Sequence, residues 1–149
     1  MLNLNKFKEL FTPLPGNHYL QISTCRDEIT ILLEDLMDKV DGELKLILYN
    51  DQHLKLNQPF RAIPRNHDNV ILKDVFAKHE NQDMLIKLSY LTLANTANII
   101  IIEKKGFLDI QALKDKLEIM EFRSANEIDI IDGYDLVIAK KMHMWGAGL

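Results

Sequence analysis

DNVILKDVFAKHENQDMLIKLSYLTLANTANIIIIEKKG, residues 68–106, is the stretch on which the fold turns. It opens with a short apolar run (69–73) and passes into a polar loop of His, Glu, Asn, Gln and Asp. A segment from about 83 to 94 then carries apolar residues at helical spacing. The run Ile99, Ile100, Ile101, Ile102 follows, closed by Lys104, Lys105 and Gly106. Four consecutive β-branched apolar residues suit a strand covered on both faces, the condition of a parallel sheet flanked by helices. Strand, loop, helix and buried strand in that order predict an α/β fold.

Working outward, residues 2–11 place Leu4, Phe7, Leu10 and Phe11 on one helical face, and the Pro13 to Gly16 turn ends that helix. Residues 18–23 read as a first strand. Residues 26–40 form the clearest helix, with Ile29, Leu32, Leu33, Leu36, Met37 and Val40 on one side and Asp27 and Glu28 in the first turn. Asp41-Gly42 stops it, and 43–49 alternates as a second strand. The polar segment 50–66, with Pro59 and Pro64, holds at most a short third strand at 60–63. Beyond the isoleucines, 110–120 is a last helix. Residues 122–124 and 127–131 lead into Asp132-Gly133, a hairpin signal, with 134–139 as the returning strand. The expectation is one domain over 1–149, a three-layer α/β/α sandwich. Its mostly parallel sheet ends in an antiparallel C-terminal strand, with a linker up to Gly16 and an unpatterned tail over 142–149.

Composition narrows the function classes. A net charge of −4, with no run of Lys or Arg longer than two, gives no footprint for a phosphate backbone, so no nucleic-acid partner is expected. No apolar run reaches the roughly 18–20 residues that cross a bilayer, so no membrane partner is expected. The lone Cys25 can form no internal disulfide, which suits the cytoplasm. His53, His67-Asp68 and His79-Glu80 have metal-ligand chemistry, but five scattered histidines carry no ligand spacing and no metal is expected. Cys25 falls at a helix start, where thiols become acidic, yet no phosphate-loop arginine or CxxC accompanies it, and it reads as a small structural residue.

The order of elements from 68 onward, with the reversed last strand, resembles the C-terminal half of class I S-adenosylmethionine-dependent methyltransferases. The likeness covers about 17–141. It implies a cofactor across the C-terminal ends of the first strands, gripped by a glycine-rich turn after strand one. It implies Ser23 and Thr24 at that turn, Asp51 after strand two on the ribose, and Asp68, beside Arg65, Asn66 and His67, near the adenine. His79 would stand as general base on the acceptor side, with Asp74 lining it. The turn itself departs from the family. It reads Gln21-Ile22-Ser23-Thr24-Cys25-Arg26-Asp27, and no glycine lies between Gly16 and Gly42. Side chains there are expected to fill the methionine subsite, and Arg26 to set a positive charge beside the sulfonium. S-adenosylmethionine is therefore the implied cofactor but a disfavoured one. The favoured reading is a diverged domain acting as a homo-oligomer or partner subunit; the alternative is an active small-molecule methyltransferase. The Met142, Met144 and Trp145 tail is expected to pack on a neighbour or on its own domain.

Overall fold

The computed structural model describes residues 2–56 and 60–142. In chain order the elements are α1 (Asn5–Lys8), β1 (His18–Ser23), α2 (Glu28–Asp38), β2 (Glu43–Leu48), a 3-10 turn (His53–Lys55), β3 (His67–Lys73), α3 (Gln82–Thr92), β4 (Leu93–Lys104), α4 (Ile110–Ile119), β5 (Phe122–Glu127) and β6 (Tyr134–Lys141). They build one six-stranded sheet in the order β2-β1-β3-β4-β6-β5. The first four strands are parallel, and β6 runs antiparallel to both β4 and β5. Among the described residues no helix is long and apolar enough to cross a membrane.

Strand alternation sends each strand's residues to two separate cores. Tyr19, Ile71, Ile100, Ile102 and Leu136 face α1 and α2, where they meet Phe7, Phe11, Ile29, Leu33 and Met37. Leu20, Ile22, Val70, Leu72, Ile99, Ile101 and Val137 face α3 and α4, with Leu85, Ile86, Leu113 and Leu117. Ile99 to Ile102 are all buried, as an apolar run covered on both faces requires.

Three expectations change. No strand forms at 60–63 among the described residues. Phe60 is instead buried in the α3-side core and Ala62 packs against it, so the segment crosses that face as irregular chain. Asp132-Gly133 makes a tight turn, the Tyr134 amide bonding the Ile131 carbonyl at 3.1 Å, but the strands do not meet at it, because residues 128–133 all lie outside them. Ile131 is buried in the α2-side core and Ile128 and Ile130 pack beside it, so apolar burial holds the connection open. Gly133 does take the positive φ of 81° expected of it. Finally, α3 passes directly into β4 at Leu93, and the β3–β4 register shifts between His67 and Asn69. Part of the tail expected to pack, 143–149, lies outside the described residues.

Candidate functional site

The C-terminal ends of β1, β2 and β3 form the crevice where the resemblance places a cofactor. The turn after β1 is shaped by a reciprocal cap. Asp27 Oδ1 accepts the Thr30 amide at 3.1 Å while Thr30 Oγ1 accepts the Asp27 amide at 3.2 Å. The Thr30 amide of the first turn of α2 and the Asp27 amide before it are thereby satisfied by the chain itself. Ser23 is buried, and Thr24, Cys25 and Arg26 are exposed. Arg26, expected to aim its charge into the crevice, instead clasps the Glu34 carboxylate with both terminal nitrogens, one of them at 2.6 Å.

Beneath that turn lies Lys73, the last residue of β3 and the register partner of Ser23. It is 5% exposed. Its Nζ stands 2.9 Å from Asp27 Oδ2 and 2.8 Å from Asp74 Oδ2, with the Tyr134 ring centroid 5.1 Å away. Burial works against the Lys73 ammonium, but the Asp74 and Asp27 carboxylates outweigh it and hold its pKa above the ordinary lysine value. Burial likewise opposes the Asp27 carboxylate, yet the Lys73 contact and the Thr30 amide hold it below its usual range. Asp27 Oδ2 has no directed hydrogen bond, so its contact with Lys73 is an ion pair of close charges. Deeper on the same face of β1, both side-chain amide atoms of Gln21 and the Ser23 Oγ are buried without partners among the described residues.

Asp74, expected on the acceptor side, is therefore committed to Lys73, and it adopts a left-handed φ of 61°. The loop after it is pinned by Glu103 at the end of β4, whose Oε2 accepts the Phe76 and Ala77 amides at 3.1 and 3.2 Å. Burial, with the nearby Asp74 charge, pushes the Glu103 carboxyl up despite those bonds.

At the end of β2, Asp51 is exposed, while the neighbouring Asn50 side chain accepts the Gln52 and His53 amides. Tyr49 is buried and stacks on His53 at 5.1 Å. His79, expected as a general base, is 5% exposed and tilts against Tyr49 at 6.3 Å. Its Nδ1 accepts the Asn81 amide at 2.9 Å, which puts the proton of the neutral ring on Nε2; that atom is buried without a partner among the described residues. Burial lowers its pKa and keeps the ring neutral.

Asp68 is not part of this crevice. It sits at the opposite end of β3, accepting the His18 amide at 2.8 Å, about 17 Å of strand away from Lys73. Its expected place depended on a strand at 60–63; without one, Arg65 and Asn66 lead into β3, which His67 and Asp68 open. The structure thus gathers Ser23, Thr24 and Asp74 near Lys73, puts Asp51 and His79 at the β2 side, and leaves Asp68 apart. Gln21, Lys73 and Glu103 were missed. The readable signal for Lys73 was a charge closing an apolar strand with an acid directly after it.

No protein-family model matches this sequence, and no curated protein does. Solved structures do match. A SAM-dependent methyltransferase from Aquifex aeolicus aligns over 95% of this chain and 90% of its own, with a TM-score of 0.68 at 12% identity. A methyltransferase in complex with the Haloferax volcanii Trm112 methyltransferase activator aligns over 93% and 88%, TM-score 0.65, at 8% identity. A Haemonchus contortus phosphoethanolamine N-methyltransferase, solved with phosphomonomethylethanolamine and S-adenosylhomocysteine, aligns over 92% of this chain, TM-score 0.60, at 10% identity. This chain covers only 51% of that one. With a parallel sheet, a reversed β6 and neighbours of this kind, the chain has the fold of class I S-adenosylmethionine-dependent methyltransferases.

Proposed function

We propose that this chain is a methyltransferase-fold subunit that does not use S-adenosylmethionine and acts through a protein partner. One observation carries the reading: the Lys73 ammonium, buried between Asp27 and Asp74, fills the strand ends beneath the β1–α2 turn. A cofactor laid there meets a glycine-free turn over a floor already filled by the Lys73, Asp27 and Asp74 side chains instead of an open backbone approach, so occupied space rather than charge opposes binding. Of the first-turn amides of α2, that of Thr30 is already capped by Asp27. Asp51 is exposed and open to a ribose. A partner role is supported by the neighbour that is bound to a methyltransferase activator.

A second reading, an active small-molecule methyltransferase, is favoured by the unpartnered Gln21 and Ser23 polar atoms, which a ligand in the crevice would satisfy. Calorimetric titration with S-adenosylmethionine and S-adenosylhomocysteine separates the two. The expected result is no binding tighter than about millimolar, roughly −4 kcal/mol. Micromolar binding, weakened at least about tenfold in Asp51→Ala, would establish the second reading.

A further inference from the structure

The geometry points to β2 as a docking edge for an extended strand of a partner protein whose side chains alternate apolar and basic. This rests on the reading above in one respect, that the chain works through a partner, and it adds where and with what chemistry.

The two edges of the sheet are built differently. At β5 the ladder to β6 is broken by a register shift between Arg123 and Asn126, with Ser124 at a φ of 57°, and charges at Arg123 and Glu127. Such bulges and charges discourage further pairing. β2 has neither a bulge nor a proline, and among the described residues it pairs only with β1. The Glu43 amide bonds Asn17 O at 2.9 Å and the Tyr49 amide bonds Ser23 O at 2.8 Å, so the odd-numbered residues face β1. The N–H and C=O groups of Leu44, Leu46 and Leu48 therefore point away from the sheet. Those three leucines also share one face, and Leu48 is 51% exposed. Six residues of strand offer about 20 Å of open ladder.

At the starting end of this strand opens a depression of about 730 Å³, lined by Glu34 and Asp38 of α2 and Glu43 and Lys45 of β2 and reaching in to His18 of β1 and His67 of β3. Exposed acids mark both ends of the strand, Asp38, Asp41 and Glu43 at its start and Asp51 beyond its finish; Lys39, among the first group, is held by Asp35 at 3.0 Å, Glu43 has His18 at 3.7 Å, and Lys45 is the cation within the strand. A second copy paired antiparallel about a two-fold axis would set acid against acid at each end. A basic, apolar strand is complementary at both ends, pairs with the three free backbone positions and covers the leucines.

The test is amide NMR of the whole chain titrated with a blocked peptide of alternating lysine and valine, and with its glutamate–valine counterpart. Shifts and slowed exchange are expected at Leu44, Leu46 and Leu48 with the lysine peptide. Affinity should be at least about tenfold weaker for the glutamate peptide. The double variant Leu46→Lys, Leu48→Lys, checked for an unchanged fold by circular dichroism, should lose the shifts. Absence of shifts at these amides, shifts confined to another surface, or equal binding of both peptides would overturn the proposal. So would edge amides already protected in the free protein in a concentration-dependent way, because a second copy would then be the occupant. Titration of the same sample with S-adenosylmethionine keeps the two readings separate. Cofactor binding with the edge response intact would overturn the proposed function and leave the docking edge standing.

Discussion

Replacing Lys73 by Met keeps the alkyl stem and removes the charge. At about 2.9 Å and an effective dielectric near 20, each Lys73–carboxylate contact has a Coulomb energy of order 5 kcal/mol before desolvation is set against it. Desolvation of a lysine side chain only 6% exposed cancels much of this, so the intact cluster is no large net source of stability. The variant is a different matter, because Asp27 and Asp74 stay behind without a counter-charge. Removing one partner of a buried pair typically costs about 3–5 kcal/mol. Here the two carboxylates are 20% and 18% exposed and regain some water, which places the loss near the lower end, about 3 kcal/mol. The loss depends on pH. In the native protein Asp27 is held below its ordinary pKa, so its contribution is present above that value and fades as pH falls through it. In Lys73→Met, Asp27 loses the contact that holds its pKa down and takes a proton sooner, so the gap between native and variant narrows on acidification. Urea titrations at pH 7.5 and 4.5 measure both quantities. A gap below about 1 kcal/mol at pH 7.5, or one of equal size at both pH values, would refute the account of the cluster.

Other expectations are simpler. Leu33→Ala or Leu36→Ala on the buried face of α2 should cost about 2–5 kcal/mol in denaturant titrations. Glu34→Ala should change stability by less than about 0.5 kcal/mol, because its pairing with Arg26 is in water; equal losses at Leu33 and Glu34 would mean the helix face is assigned wrongly. His67 is buried, with its Nδ1 on Thr92 Oγ1 at 2.8 Å, and burial first, then the Lys45 and His18 charges, lower its pKa to about 4. Below the ordinary value of 6.5 the unfolded chain takes a proton that the folded one refuses. Stability tied to His67 is thus complete above about pH 6.5 and is lost between there and about pH 4, by up to about 3 kcal/mol. His67→Gln should flatten that slope in urea titrations across the interval, and an unchanged slope would count against it.

Regular periodicity carried most of the fold. The spacing of Ile29, Leu33, Leu36 and Met37 and the unbroken run from Ile99 to Ile102 each admitted one arrangement, and both are seen. Where burial competes with local signals the reading slipped. Asp132-Gly133 does turn the chain, but Ile128, Ile130 and Ile131 settle onto the core, so β5 ends at Glu127 and the connection is longer than the turn alone. The site was less legible because its central contact joins Lys73 to Asp27, two strands' worth of chain apart, and no local pattern encodes that meeting. His79 is readable only as a residue of the loop after β3; its burial against Tyr49 depends on the fold of 50–56, where the sequence has no period to read.

The place of β6 bears on how the chain is made. Among the described residues it is the last strand, yet it sits inside the sheet, between β4 and β5, and β5 pairs with nothing else there. Its Lys141 also closes α3, donating from Nζ to the Tyr90 and Leu93 carbonyls at 2.7 Å each. On a ribosome, β4 therefore emerges with its isoleucines lacking a neighbour on one side, and α3 with its end unsealed. Neither is remedied until residue 141 has left the exit tunnel. Stop codons or proteolytic cuts just ahead of Tyr134 would release a fragment presenting a bare, strongly apolar ladder, the kind of surface that chaperones retain and that otherwise polymerises.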